Sequence, residues 1–152
     1  MSSPSRPSIA FVQSCWHRDI VDRAKLGFTD RLDGRAEIEF FEVPGAFELP
    51  LHVRTLADTR RFDAVVAAGL VVDGGIYRHE FVGHAVIDGL MRVQLDVRVP
   101  VFSCVLTPQS FEEDAPDSES HRFFFDHMVL KGREAADACV ATLDARALVT
   151  TR

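Results

Sequence analysis

Two apolar periods alternate along the chain. Four short continuous runs have the length and the branched or aromatic content of buried strands: Ile9-Ala-Phe-Val-Gln13, Ile38-Glu-Phe-Phe-Glu-Val43, Phe62-Asp-Ala-Val-Val-Ala-Ala68 and Val99-Pro-Val-Phe-Ser-Cys-Val-Leu106. Between and after them, apolar positions recur every three or four residues, which is the spacing of one helix face. Ile20, Ala24, Phe28 and Leu32, with Val21 beside them, predict a first helix. Leu49, Val53 and Leu56 mark a weaker one over 46–57. Val82, Val86, Leu90 and Val93, joined by Phe81 and Ala85, predict a third, and Ala136, Cys139, Val140, Leu143 and Ala147 a fourth. The order β-α-β-α-β-α-β-α predicts a single α/β domain over 9–152. In it a four-stranded parallel sheet carries helices on both faces through right-handed crossovers. Such sheets bind ligands at the carboxyl ends of their strands, so the residues just after each strand are where chemistry is sought.

Each of those positions carries something beyond packing residues. After the first strand stands Trp16, either a stacking platform for a planar ring or a packing anchor. After the second, Pro44-Gly45 forces a turn. The amides of the helix start beyond it can grip oxygens, with Glu48 set favourably against the helix dipole; an ordinary strand-to-helix turn has the same residues. After the third comes Asp73-Gly-Gly-Ile-Tyr-Arg78-His79, where glycine backbone beside a basic pair suits a phosphate, and His79 can move protons near neutral pH. After the fourth an acidic stretch, 107–120, gives way to His121, Arg122, His127 and Lys131, interleaved with Phe123, Phe124 and Phe125. That zone suits a phosphate better than a metal, because the spacing of six between His121 and His127 fits no standard ligand pattern. No metal site is expected.

Composition narrows the class. The 152 residues are enough for one domain with a sizeable core, and 47% hydrophobic with 26% charged is the balance of a soluble globular protein. The net charge of −6 argues against nucleic acid as a partner, and no apolar run approaches the length of a membrane span. Residues 1–8 are Ser/Pro-rich without an apolar segment and read as a loose arm, not a secretory signal, so a cytoplasmic location is expected. Cys15, Cys104 and Cys139 are an odd number outside any C-x-x-C and read as buried free thiols.

Four pieces in order resemble the lumazine synthase family in its divergent second bacterial type: Val43-Pro-Gly-Ala-Phe-Glu-Leu-Pro50, Gly69-x-Val-Val-x-Gly74, Pro100-Val…Val105-Leu106-Thr107 and Lys131-Gly132-x-Glu134-Ala135-Ala136. The resemblance runs from Ile9 to Leu143 and implies a flavodoxin-like three-layer αβα sandwich. It implies a transferase of riboflavin biosynthesis that joins a ribitylamino-uracil to a butanone phosphate without a cofactor. It also implies a homo-oligomer, pentamer or decamer, with sites shared between subunits. By resemblance Trp16 stacks on the pyrimidine, Gly45, Ala46 and Glu48 hold the ribityl chain, and the backbone of Leu70, Val71 and Val72 reads the uracil edge. Gly75 and Ile76 form the phosphate turn, and Lys131 lies near ribityl chain and phosphate. The chain departs from the family pattern in three places. Arg78 falls on the usual catalytic His position with His79 one place later; His121 and Arg122 are the nearest matches to the phosphate Arg; and an expected aromatic lands on Ser103, beside Phe102. Arg cannot be deprotonated in proteins, so proton transfer is expected of His79 and electrostatic stabilisation of Arg78. These departures keep two alternatives open: a catalytically weak lumazine- or flavin-binding scaffold, and a structural shell protein.

Overall fold

The computed structural model describes residues 6–72, 78–108 and 118–150. The element order is β1 (Ser8–Ser14), α1 (Arg18–Leu32), β2 (Glu37–Val43), a 3-10 turn (Ala46–Glu48), α2 (Leu49–Asp58), β3 (Ala64–Leu70), α3 (His79–Val97), β4 (Val101–Leu106) and α4 (Glu119–Thr150). The four strands are all parallel in the order β2-β1-β3-β4. The alternation of side chains along each strand divides the core into two layers. Ile9 and Phe11 of β1 with Val66 and Ala68 of β3 pack under α1 and α4, against Phe28, Met128 and Cys139. Ala10, Val12, Val65 and Ala67 point the other way, against Leu49 and Val53 of α2 and Val86 and Leu90 of α3. The expected αβα sandwich is therefore present.

Boundaries moved where the sheet register outweighs local composition. The third strand lies two residues later than its apolar run, because Leu70 pairs with Leu106, while Asp63 serves as an end clasp, accepting the Ser8 N–H at 2.8 Å. The fourth starts after Pro100, which has no N–H for the ladder but offers its carbonyl to Val65. The arm is tied down earlier than expected: Pro7 accepts from Glu37 N–H, and Arg6 donates to the Gly34 carbonyl at 2.9 Å. The largest difference is α4, which runs for 32 residues. Ser118 begins it by accepting the His121 N–H on its hydroxyl, so the basic and aromatic stretch forms the first turns of a helix. On α3, Phe81 and Ala85 do not join the buried stripe; both are exposed, and Gly83, Val86, Leu90, Val93 and Val97 are buried instead.

Helices α1 and α4 meet backbone to backbone. A Cβ on Gly27 would stand 2.1 Å from the Val129 carbonyl oxygen, and one on Gly132 would stand 2.1 Å from that of Ala24. Glycine is required at both positions for space. Cys104 and Cys139 are buried as expected, and burial pushes each thiol up to about 12. Cys15 is not buried; it is part of a polar cluster described below.

Candidate functional site

The carboxyl ends of β1, β2 and β3 meet at one edge of the sheet, and most of the expected residues stand there. The chain leaves β1 through Ser14 and Cys15, exposes Trp16, and turns into α1 at His17, whose φ of 56° is left-handed. Trp16 is 71% exposed, which removes the packing-anchor reading within this chain. The turn after β2 lies against it, since the Cys15 N–H donates to the Pro44 carbonyl at 3.1 Å. There Gly45 donates its N–H to Glu48 Oε2 at 2.9 Å, and Glu48 N–H returns a bond to the Gly45 carbonyl. Gly45 is extended, a conformation open to any residue, and a Cβ there would lie 3.1 Å from that carboxylate, so a larger residue would push the Glu48 side chain slightly aside. Glu48 is thus anchored by one oxygen and free to present the other.

Leu70 is the last residue of β3 and is buried, as is Val71, whose N–H donates to the Leu106 carbonyl at 2.8 Å. Val72 is half-buried and packs on the α1–α4 layer. Gly75 and Ile76, the expected phosphate turn, lie outside the described residues. The chain returns at Arg78, extended at the start of α3. Glu80 sits between the basic pair: its carboxylate is 2.7 Å from the Arg78 guanidinium and 3.7 Å from His79 Nδ1. The Arg78 side chain is exposed and the His79 ring largely buried. A cleft of about 270 Å³ opens beside them, lined by His79, Glu80, Gly83, His84, Ile87, Asp88 and Thr107. Neither Glu80 nor Thr107 was singled out from the sequence; the Arg-His-Glu succession at a helix start was the available signal for the first.

The α4 candidates fare differently. His121 is committed to α1: its Nε2 is 2.7 Å from Asp19 Oδ2, and its ring stacks on Phe125. Like Arg78 and Lys131, His121 thus has a carboxylate neighbour. His127 stacks flat on Phe123, with ring centroids 5.3 Å apart, and Arg122 is exposed. Lys131 pairs with Glu134 at 2.8 Å, and its carbonyl accepts the Cys104 thiol, which places it alongside the end of β4. Ser103 is exposed and accepts the Val105 N–H, while Phe102 packs on the α1–α4 layer. Successive strand residues face opposite ways, so Phe102 cannot supply the aromatic missing at Ser103. Among the described residues no three His, Cys, Asp or Glu side chains gather as a metal would need, and no helix is long and apolar enough to cross a membrane.

The family model for 6,7-dimethyl-8-ribityllumazine synthase matches residues 6–147. A protein of that name from Rhodococcus erythropolis is 60% identical over 94% of this chain and 93% of its own. Proteins named 6,7-dimethyl-8-ribityllumazine synthase 2 are 56% identical in Bradyrhizobium diazoefficiens, over 89% of this chain and 81% of theirs, and 53% identical in Pseudomonas syringae pv. tomato, over 93% and 85%. The chain belongs to the 6,7-dimethyl-8-ribityllumazine synthase family.

Proposed function

We propose that this chain condenses 5-amino-6-(D-ribitylamino)uracil with 3,4-dihydroxy-2-butanone 4-phosphate to 6,7-dimethyl-8-ribityllumazine, releasing phosphate and water, as a transferase of riboflavin biosynthesis. The observation that carries this reading is an exposed Trp16 ring beside the Gly45–Glu48 turn at the carboxyl edge of a parallel sheet, on a chain of this family. The aromatic face suits the flat pyrimidine, and the family resemblance gives the reading of its edge to backbone at 70–72, where the Val71 N–H is held by the Leu106 carbonyl. The turn offers N–H groups and the second Glu48 oxygen to the ribityl hydroxyls, with Lys131 as a further donor.

The chemistry asks little of the protein beyond placement. The 5-amino group adds to the ketone, water leaves to give an imine, phosphate is eliminated, and the ribitylamino nitrogen closes the ring with loss of a second water. Holding the two reactants together supplies much of the acceleration. His79 is the group suited to carry protons between nitrogen and oxygen. Arg78 remains charged throughout and serves the departing phosphate by charge-assisted hydrogen bonds, in exchange for its exposed pairing with Glu80. Gly75 and Ile76 would complete the phosphate turn.

The chain works as a homo-oligomer, a pentamer or a pair of pentamers, in the cytoplasm. Support for assembly comes from α3, the 3-10 turn and α2, where Phe81, Ile87, Met91, Leu95, Phe47 and Leu51 are exposed apolar residues. A turnover assay with both substrates tests the reaction: lumazine formation is expected, and tight binding of the uracil without turnover would transfer the chain to the scaffold reading. That reading is disfavoured because the relatives carry synthase names. Light scattering at micromolar concentration tests assembly, and a monomer would refute it.

A further inference from the structure

Trp16 takes little orientation from packing, because most of its ring is open to solvent. A side chain on a short turn, entered from a strand end and left through a left-handed His17, needs something else to fix it if it is to act as a platform. The structure supplies a clasp built on the residues that flank it in sequence. Arg18, two residues on, spreads its guanidinium across Glu42 at the end of β2, with Nη1 to Oε1 at 2.6 Å and Nη2 to Oε2 at 2.9 Å. The same Nη2 donates to Cys15 Sγ at 3.1 Å, and the thiol lies 3.8 Å from the Glu42 carboxylate. Cys15 and Arg18 thus bracket Trp16 in sequence and are tied to one carboxylate on the neighbouring strand. The Cys15 N–H to Pro44 bond closes the same loop through the backbone.

We propose that Arg18 and Glu42 are positioning residues that set the ring of Trp16 over the site, with Cys15 as the third corner of the clasp. Two parallel N–H···O bonds fix a plane as well as a distance, which a single ion pair does not. The exposed location argues against a large stability role, since surface pairs contribute little to folding, with bidentate Arg–carboxylate geometry as the exception. The clasp also joins two parts of the site, because Glu42 is followed at once by Val43-Pro44-Gly45: the platform and the ribityl turn are held at a fixed separation.

The proposal rests on Trp16 being the pyrimidine platform, and the test keeps the two apart. Trp16 is the only Trp in the chain, so its time-resolved fluorescence anisotropy in the intact assembly reports the motion of that ring alone. Arg18→Ala and Glu42→Gln are each expected to enlarge the fast, nanosecond component, and Arg18→Lys, which cannot make the fork, to fall between. Kinetically, Arg18→Ala should raise the Michaelis constant for the ribitylamino-uracil about fivefold, the scale of one well-formed exposed pair, and leave that for the butanone phosphate within about twofold. In a Trp16→Ala background Arg18→Ala should add nothing, because the residue acts through the ring. Exchanging the pair, Arg18→Glu with Glu42→Arg, should recover part of the rigidity. Unchanged anisotropy in both Arg18→Ala and Glu42→Gln overturns the proposal, as does a full additive cost in the double variant. If Trp16→Ala leaves uracil binding intact, the platform reading fails, and the anisotropy still decides whether the clasp holds the ring. Should Arg18→Ala misfold, the near-isosteric Glu42→Gln carries the same measurement.

Discussion

Replacing Gly132 by Ala should destabilise the protein, although helix propensity alone favours the change by about 1 kcal/mol. The added methyl would begin 2.1 Å from the Ala24 carbonyl oxygen and 2.9 Å from the Phe28 nitrogen. Ordinary carbon contacts are about 3.5 Å, so α1 and α4 must part by roughly 1 Å. A gap of that size forfeits a quarter to a half of the dispersion energy of the atoms lining it, and those atoms belong to buried Ala24, Phe28, Met128 and Ala136. Overpacking of a tight core costs about 1–3 kcal/mol, and a clash with backbone takes the upper end because no rotamer yields. Offset by propensity, the net loss is about 2 kcal/mol. Urea unfolding of both proteins at one fixed protomer concentration measures it, since assembly makes apparent stability depend on concentration. Unchanged or increased stability would refute the reasoning. Gly27→Ala should behave alike, and the pair should cost less than the sum, because helices already parted for one methyl admit the second.

Three other outcomes are expected. Trp16→Ala should weaken ligand binding by about 1–3 kcal/mol, with Trp16→Phe much closer to the parent; calorimetry with a lumazine analogue measures both. His79→Asn should lower turnover by up to about 10²–10⁴-fold, while Arg78→Ala should mainly raise the Michaelis constant for the phosphate substrate; a His79→Asn enzyme with its rate intact would move the role to His127 or His84. The Arg18 and Arg31 guanidinium groups hold the carboxyls of Glu42 and Asp137 below the usual carboxylate range. Their contribution to stability, small because both pairs are exposed, is full above the ordinary value of about 4 and is lost as pH falls through the lower folded values, so Glu42→Gln and Asp137→Asn should each flatten the acid limb of a melting-temperature profile slightly.

The fold was legible because the chain states it twice, in strand runs and in helix stripes that agree with a parallel sheet. The turn of the candidate site was legible where one short segment holds the strand end, Pro44-Gly45 and Glu48, as at Val43–Pro50. The site was less legible where function depends on what lies opposite. Nothing adjacent to His121 in sequence announces Asp19, 102 positions away, and nothing near Cys15 announces that its thiol would meet Arg18 and Glu42 instead of the core. The first turns of α4 went unread as helix because most of their aromatic residues lie off the apolar stripe: Phe123 is exposed and Phe125 lies under Arg23, and Phe124 alone of the three packs on the core, four residues before Met128, where the continuous stripe starts.

That late start has a consequence for α4. At 1.5 Å per residue its 32 residues span about 48 Å, roughly twice the length of the strands beside it. Its fully buried positions run only from Met128 to Cys139, partly buried Phe124, Val140 and Leu143 extend the packing on either side, and the turns after Leu143 project past the core. Helical turns without a core beneath them open easily, and their amides exchange with solvent far faster than the middle. Along this one helix, then, amide protection is a map of quaternary contact. The central turns report folding of the protomer, and slow exchange beyond Leu143 points to a surface that another copy or a bound ligand provides.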